Sequence, residues 1–239
     1  MLRTAYWMSY FWYFLFTRFG KMKNANKIRL SGDKKQLDEY VAKYVKYWSR
    51  KLIKISGSEI IVTGEENIPE QYAVYVGNHQ GNFDVPLMLG YVGAPRAFLA
   101  KIEMLDVPLV RDWMRNLGCI FVDRKDSKQS LKAVLSAIKY VKAGNSMTIF
   151  PEGTRSQCDK MGEFKSGSTR IAIKAGALIV PVTIDGSYKI LEKNKGFKIT
   201  PAVVKLTIHK PINPKELSKE EIENIDDIIK NIIQSKLGN

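Results

Sequence analysis

Short runs rich in β-branched and aromatic residues alternate with helical patterns along most of this chain of 239 residues. The runs are 59–62, 72–76, 97–100, 119–122, 147–150, 178–184 and 203–208. Strands that alternate with helices favour an α/β fold in which helices cover a sheet. We therefore predict a mixed β-sheet flanked by helices.

Periodic apolar residues and end signals place three of the helices. Apolar residues three and four apart predict a helix over 131–141, which Gly144 ends. A second helix is predicted over 168–174 and ends at Gly176. The last begins with the capping box Ser218-Lys-Glu-Glu221 and carries isoleucines on one face.

The first 55 residues differ in composition from the rest of the chain. They hold 13 Lys or Arg against three acidic residues, which is +10 of the total net charge of +14. Residues 5–16 contain eight of the 25 aromatic side chains. This run is too short to span a bilayer, which takes about 20 apolar residues. Its Trp and Tyr content is instead typical of a segment at the headgroup level of a membrane.

A second helix with a basic side follows the aromatic run. Its apolar stripe consists of Leu37, Tyr40, Val41, Tyr44, Val45, Trp48 and Leu52. We interpret residues 1–55 as a two-helix element seated on an anionic membrane, where each basic residue near the surface contributes about 1 kcal/mol. The alternative is that the stripe packs on the main domain. Residues 56–239 then form the α/β domain.

The chain has few of the cysteine and histidine residues that disulfide frameworks and zinc sites require. Two cysteines and two histidines are too few for a disulfide framework or a typical zinc site, and the low cysteine content suits a reducing compartment. The motifs of serine hydrolases, phosphate-binding loops and dinucleotide-binding turns are absent from the sequence. The excess of positive charge indicates an anionic partner, which could be nucleic acid, a membrane surface or a phosphorylated substrate.

A histidine and an aspartate follow the second predicted strand. His79 and Asp84 lie in the segment 78–84, Asn-His-Gln-Gly-Asn-Phe-Asp. Five residues rotate a helix by about 140°, so we expect His79 in a loop, before a helix that Asn82 or Asp84 caps and Pro86 helps to begin. The carboxylate could then accept the Nδ1–H and leave Nε2 free as a base. The spacing alone is explained more simply by a loop histidine and a capping aspartate.

A turn with a possible phosphate ligand follows the predicted strand 147–150. It contains Glu152, Gly153, Thr154 and Arg155. Glycine lets the backbone approach a ligand closely, and the guanidinium fork of arginine suits phosphate oxygens. A surface turn with a Glu152–Arg155 ion pair explains the same residues equally well.

Two further cations lie at the ends of predicted strands. Lys101 ends one strand and Arg124 follows another. Because the carboxyl ends of parallel strands meet at one edge of a sheet, His79, Arg124 and Arg155 are expected to converge there, with Lys101 at the margin. A histidine base beside several cations suggests an acceptor that carries a hydroxyl and a phosphate.

Four sequence blocks, in this order, resemble the glycerolipid acyltransferase family. They are Asn78-His79-(x4)-Asp84, the stretch from Lys101 to Gly118-Cys-Ile-Phe-Val-Asp123-Arg124, Phe150-Pro-Glu152-Gly153-Thr154-Arg155, and Ile179-Val-Pro181-Val182. The resemblance implies that His79 is the general base and that Asp84 orients its imidazole. The implied glycerol-phosphate site consists of Lys101, Arg124, Glu152, Gly153, Thr154 and Arg155. The residues implied to shape the pocket are Asn78 and Pro181.

The resemblance also implies a reaction and its partners. A fatty acyl group would move from acyl-CoA or acyl-carrier protein to the sn-2 hydroxyl of lysophosphatidate, giving phosphatidate for phospholipid biosynthesis. The expected setting is the cytoplasmic face of the cell membrane, with the lipid bilayer as a partner, no nucleic acid, and neither a metal nor a prosthetic group. Alternatives are an acyltransferase for another lysophospholipid or for glycerol 3-phosphate, and a non-catalytic protein that binds membrane or nucleic acid.

Overall fold

The strands and helices of the computed structural model, which describes residues 2–165, 167 and 169–238, follow the predicted alternation. All predicted strands are present, with ends within one residue of the prediction. They are β1 (Glu59–Thr63), β2 (Ala73–Gly77), β3 (Ala97–Lys101), β4 (Ile120–Val122), β5 (Met147–Ile149), β6 (Leu178–Asp185) and β7 (Val203–Ile208). The helices are α1 (Leu2–Thr17), α2 (Phe19–Ser31), α3 (Lys34–Ser56), α4 (Asp84–Tyr91), α5 (Val110–Asn116), α6 (Ser127–Lys142), α7 (Arg170–Ala175), α8 (Lys219–Glu223) and α9 (Ile225–Gln234).

The strands form one mixed sheet in the order β1-β7-β6-β2-β5-β3-β4. Neighbouring strands are parallel except for β6 and β7, which are antiparallel. The strands from β6 to β4 therefore point the same way, and their carboxyl ends meet at one edge. This arrangement confirms the predicted mixed sheet, and it places the loops that follow β2 and β5 side by side.

Helices cover both faces of the sheet. In β2, Tyr75 packs towards the N-terminal helices, α4 and α5, whereas Val74 and Val76 pack towards α6, α7 and α9. Successive side chains of a strand point to opposite faces, which explains this division. The fully buried strand β2 thus lies at the centre of the molecule and carries the histidine loop at its carboxyl end.

The predicted helix end signals are confirmed where the structure describes them. Gly144 and Gly176 follow α6 and α7 with φ of +87° and +65°, the left-handed conformation that glycine adopts without strain. Ser168, the predicted start of the helix over 168–174, lies outside the described residues. The capping box at Ser218 is present, and the last predicted helix is divided at Asn224 into α8 and α9.

The N-terminal part contains a helix that was not predicted. Between the aromatic helix α1 and the amphipathic helix α3 lies α2, so three helices replace the predicted two. Helix α3 ends at Ser56, and Gly57 after it adopts a φ of +77°. These helices and the sheet share one hydrophobic core.

The apolar stripe of α3 is covered by protein. Leu37, Val41, Val45 and Leu52 are 5%, 1%, 8% and 0% exposed, and α3 packs closely against α4. The interpretation of this stripe as a membrane contact is therefore wrong, and the alternative, packing on the main domain, is correct. Periodicity revealed an apolar side of the helix, but the sheet and α4 decide what covers it.

The aromatic helix α1 has two different faces. One packs inward, with Phe14 and Leu15 buried and the Trp7 Nε1–H donating to the Leu52 carbonyl at 3.0 Å. The other face carries large apolar side chains that remain exposed, among them Tyr13 and Phe16. No helix among the described residues is both long and apolar enough to cross a bilayer.

Candidate active site

His79 and Asp84 form a hydrogen-bonded pair at the carboxyl end of β2. The His79 Nδ1 lies 2.7 Å from Oδ2 of Asp84, which is completely buried. A carboxylate oxygen can accept the Nδ1–H, and that tautomer of the neutral ring leaves the lone pair on the second nitrogen, Nε2. The pair therefore has the geometry of an oriented general base, as the sequence predicts.

The capping expectation for α4 is wrong. Asp84 is the first residue of the helix, Phe83 is its N-cap, and no side chain caps it. The Asp84 carboxylate instead faces the histidine loop, where Oδ2 also accepts the Gly81 N–H at 2.8 Å. A side chain committed to the imidazole and to this loop is not available for the helix amides.

The loop after β5 holds His79 in place. The Phe150 ring stacks on the imidazole, with ring centroids 4.2 Å apart and planes inclined by 10°. The His79 N–H donates to Oε1 of Glu152 at 2.7 Å, and the His79 carbonyl accepts the Ser156 N–H at 2.8 Å. The ring is thus fixed through its face, its backbone and its Nδ1.

Glu152 joins two loops through backbone hydrogen bonds. It is 3% exposed, and its two oxygens accept the N–H groups of His79 and Gly162, each at 2.7 Å. Burial raises the pKa of this carboxyl, and the two N–H donors act in the opposite direction. The alternative of an exposed Glu152–Arg155 ion pair is wrong. Within the predicted glycerol-phosphate block, Glu152 holds two loops together, because both of its oxygens already accept backbone N–H groups.

Gly153 and Thr154 form the turn that follows Glu152. Gly153 has a φ of +67°, and a Cβ atom there would lie 3.1 Å from the side chain of Lys165. A larger residue would therefore be strained and would displace this lysine. Thr154 is exposed beside Arg155, so its side chain is open to a ligand.

Arg155 reaches the histidine loop, whereas the other predicted cations lie farther along the edge. Its Nη1 donates to Oδ1 of Asn82 and lies 3.8 Å from Oε1 of Glu192. Lys101 pairs with Glu103 at 2.8 Å, and Arg124 is exposed. With strands about 4.8 Å apart, β3, which ends at Lys101, lies about 10 Å from β2, and β4, which Arg124 follows, lies about 14 Å from it.

Asn78 and Pro181 support the site from within the sheet. The Asn78 amide donates to the Ile184 carbonyl and accepts the Ile184 N–H, each at 2.8 Å, and so continues the pairing of β2 with β6. Pro181 is buried in β6 opposite Val76, and its carbonyl accepts the His209 N–H at 3.0 Å. Asn78 thus acts through its side-chain amide and Pro181 through its carbonyl, and their role in shaping the pocket stays a prediction.

Sequence reasoning missed two side chains that follow β6. Ser187 donates from Oγ to Oδ1 of Asp84. Glu192 accepts the Asn82 N–H at 2.7 Å, and burial raises its pKa while that N–H lowers it. Their position after β6 was the signal that could have found them, because β6 is parallel to β2 and both strands end at the same edge of the sheet.

An oriented histidine–aspartate pair beside an exposed arginine can support general base chemistry on an anionic substrate that carries a hydroxyl. Across residues 2–165, 167 and 169–238, no three His, Cys, Asp or Glu side chains are grouped to hold a metal ion. Residues 59–185, more than half of the chain, match the family model described as acyltransferase.

The chain belongs to the acyltransferase family.

Relatives of this acyltransferase carry more specific names. It is 37% identical over 193 residues, or 79% of its length and 77% of the relative's, to the 1-acyl-sn-glycerol-3-phosphate acyltransferase of Borreliella burgdorferi. It is 31% identical over 187 residues, 72% of its length and 68% of the relative's, to a probable enzyme of that name from Mycoplasma pneumoniae. The crystal structure of the 1-acyl-sn-glycerophosphate (LPA) acyltransferase PlsC from Thermotoga maritima matches 98% of the chain and 94% of that protein, with 32% identity and a TM-score of 0.82. The protein is an enzyme of this family.

Replacing Glu152 with glutamine is expected to destabilise the acyltransferase by about 2 kcal/mol. Both Glu152 oxygens accept backbone N–H groups, whereas glutamine has an NH2 group in place of one oxygen and cannot accept the second hydrogen bond. The free energy of unfolding in urea measures this effect. The matched control is Glu163→Gln, since the Glu163 side chain is 92% exposed and its ion pair with Lys230 contributes little. Equal unfolding free energies for the two variants would contradict the anchoring role of Glu152.

Proposed function

We propose that the enzyme transfers a fatty acyl group from an acyl thioester to the sn-2 hydroxyl of 1-acyl-glycerol 3-phosphate, giving phosphatidate for phospholipid biosynthesis. The observation that carries this proposal is the oriented pair of His79 and Asp84, joined at 2.7 Å, beside an arginine that is 40% exposed. The names of the relatives from Borreliella burgdorferi and Thermotoga maritima support the same acceptor.

The pair would act on the acceptor hydroxyl. Nε2 of His79 takes the hydroxyl proton as the oxygen attacks the carbonyl carbon of the thioester. The tetrahedral intermediate then collapses, the C–S bond breaks, and the departing thiolate takes the proton from the imidazolium. Asp84 stabilises the imidazolium between these two steps, and it needs no proton of its own.

The acceptor phosphate would be bound by the cations of the sheet edge. Arg155 lies beside the histidine loop and presents a planar guanidinium that can bind two phosphate oxygens. Lys101 and Arg124 add positive charge along the same edge. A phosphate monoester carries a charge of about −1.5 to −2 at neutral pH, more than the single charge of a phosphodiester headgroup. This difference favours lysophosphatidate over lysolipids with larger headgroups.

The acyl donor would be acyl-CoA or acyl-carrier protein as a co-substrate. Both are anionic, and the net charge of +14 suits either. We propose no metal or prosthetic group, because proton transfer and attack by an oxygen require only the side chains already described.

The exposed face of α1 supports a position on the membrane surface. Leu2, Tyr6, Tyr13 and Phe16 are 90%, 58%, 64% and 65% exposed. They recur at helical spacing on one side of α1, next to basic residues such as Arg18. Such a face suits insertion among lipid headgroups. We propose that the enzyme is peripheral, on the cytoplasmic face of the membrane.

Acyl transfer in mixed micelles tests the proposed reaction. Wild-type enzyme receives acyl-CoA or acyl-carrier protein, with lysophosphatidate, lysophosphatidylcholine or glycerol 3-phosphate as the acceptor. We expect phosphatidate as the main product, with at least about tenfold lower kcat/KM for lysophosphatidylcholine, because that acceptor loses charge-assisted bonds to phosphate.

If transfer to lysophosphatidylcholine or to glycerol 3-phosphate is faster than transfer to lysophosphatidate, the faster acceptor is the substrate and the proposed acceptor is rejected. No transfer to any acceptor from folded protein would reject the catalytic proposal in favour of a non-catalytic binding protein.

A further inference from the structure

Ser187 lies directly behind the catalytic pair. It is completely buried and begins a short 3-10 turn, Ser187–Lys189, at the end of β6. Gly186 precedes it with a φ of +94°, and a Cβ atom at Gly186 would lie 2.7 Å from the Val203 carbonyl oxygen. This sharp turn directs the chain, and Ser187 with it, towards the loop after β2.

The surroundings of the Ser187 hydroxyl require it to donate a hydrogen bond. Its Oγ contacts Oδ1 of Asp84 and lies 3.3 Å from Oε1 of Gln80. The oxygen of Gln80, not its nitrogen, faces this region, because it accepts the Gly186 N–H at 2.9 Å. Both neighbours are therefore acceptors. The carboxylate is the stronger one, because hydrogen bonds to ionised groups exceed those to neutral groups.

The Asp84 carboxylate is then held through both oxygens. Its Oδ2 faces Nδ1 of His79 at 2.7 Å and the Gly81 N–H at 2.8 Å. In the part of the chain that the structure describes, Ser187 is the donor to Oδ1. Without it, a fully buried anionic oxygen would lose its hydrogen bond, and the carboxylate could turn about its Cβ–Cγ bond.

We propose that Ser187 is a positioning residue for the catalytic pair: its hydroxyl fixes the orientation of the Asp84 carboxylate and thereby that of the His79 imidazole. The role of the pair in acyl transfer rests on the proposed function. By withdrawing charge from the carboxylate, Ser187 also limits how strongly Asp84 stabilises the imidazolium. Among the described residues, the charged groups close to the pair include Glu152, Glu192 and Arg155, and all three remain in the variants below.

The test compares Ser187→Ala with Ser187→Thr, which keeps the hydroxyl. For Ser187→Ala we expect kcat to fall about tenfold, the order expected for a lost hydrogen bond to a charged group. The KM for lysophosphatidate should stay within about twofold. The acid limb of the rate profile should move to higher pH, and Ser187→Thr should recover most of kcat. The matched control is Ser49→Ala, because the Ser49 side chain is also fully buried but its hydroxyl has no hydrogen-bond partner among the residues that the structure describes.

A measurement without substrate separates this inference from the proposed reaction. The chain has two histidines, so NMR titration of the ring protons, assigned with His79→Ala, follows His79 directly. We expect its midpoint to rise by about half a pH unit in Ser187→Ala, because the carboxylate loses a competing donor. A raised midpoint in an enzyme that fails to acylate lysophosphatidate would support the positioning role and reject the acceptor.

An unchanged midpoint with wild-type kcat would overturn the proposal. So would equal loss of kcat in the alanine and threonine variants with an unchanged midpoint, since Ser187 would then act only through packing.

Discussion

Replacement of His79 by alanine is expected to lower kcat about a thousandfold, in the range that a positioned general base contributes. The variant removes Nε2 while Asp84 keeps its bonds to Gly81 and Ser187, so the loop retains most of its contacts. Initial rates of phosphatidate formation in micelles measure the effect with each acyl donor. The KM for lysophosphatidate should change little, because in the proposed reaction the imidazole acts on the hydroxyl and not on the phosphate.

The control for this experiment is the other histidine of the chain. His209 follows β7, its Nε2 lies 2.8 Å from Oγ1 of Thr183, and burial lowers its pKa. We expect His209→Gln to keep kcat within about twofold, since the residue does not contact the catalytic pair. Comparable activity of His79→Ala and wild type would reject His79 as the base.

Substitution of three exposed aromatic residues of α1 by serine should weaken binding to lipid vesicles at least about a hundredfold. Tyr6, Tyr13 and Phe16 are 58%, 64% and 65% exposed. If each ring loses about 1 kcal/mol of favourable transfer from water, the total of about 3 kcal/mol corresponds to more than a hundredfold in partitioning. Flotation with vesicles that contain anionic lipid measures this. Protein stability should stay within about 0.5 kcal/mol, because these rings do not fill the core.

The matched control replaces three similarly exposed apolar residues elsewhere, Leu131, Leu135 and Phe197, which are 60%, 54% and 59% exposed. This variant should float like the wild type. Equal flotation of both triple variants would contradict the membrane role of α1. Substitution is a cleaner test than deletion of residues 1–20, since deletion would also remove the buried Phe14 and Leu15.

Much of the fold was predictable because its signals are local. Runs of β-branched residues predicted all the strands of the sheet, and glycine ended α6 and α7 as expected. Helix α2 escaped prediction because it is polar along most of its length and lacks an apolar stripe. Met22 and Ala25 are its buried residues, and Ile28 packs against the core while partly exposed. Sequence periodicity identifies a helix by the contrast between an apolar side and a polar side, and this contrast is weak in α2.

The candidate site was predictable in its chemistry but not in all its roles. The pairing of His79 with Asp84 was expected, whereas the capping role of Asp84 was wrong. Glu152 was placed with the phosphate ligands, and its buried oxygens instead accept two backbone N–H groups. The sequence shows the same glutamate whether it binds a ligand or anchors a loop. Its hydrogen-bond partners distinguish these two roles, and they are known only once the loops after β2 and β5 lie side by side.

The amino-acid sequence by itself determined the alternation of strands and helices, the loop that places His79 and Asp84 after β2, and the sheet edge at which Arg155 lies beside them. These depend on chain geometry, because residues two or four apart have fixed relative directions and parallel strands end together. The tertiary structure alone decided that the α3 stripe is core, that one face of α1 stays exposed, and that Ser187 supports Asp84 from more than 100 residues away. Such contacts depend on which surfaces bury each other, and no local period encodes that choice.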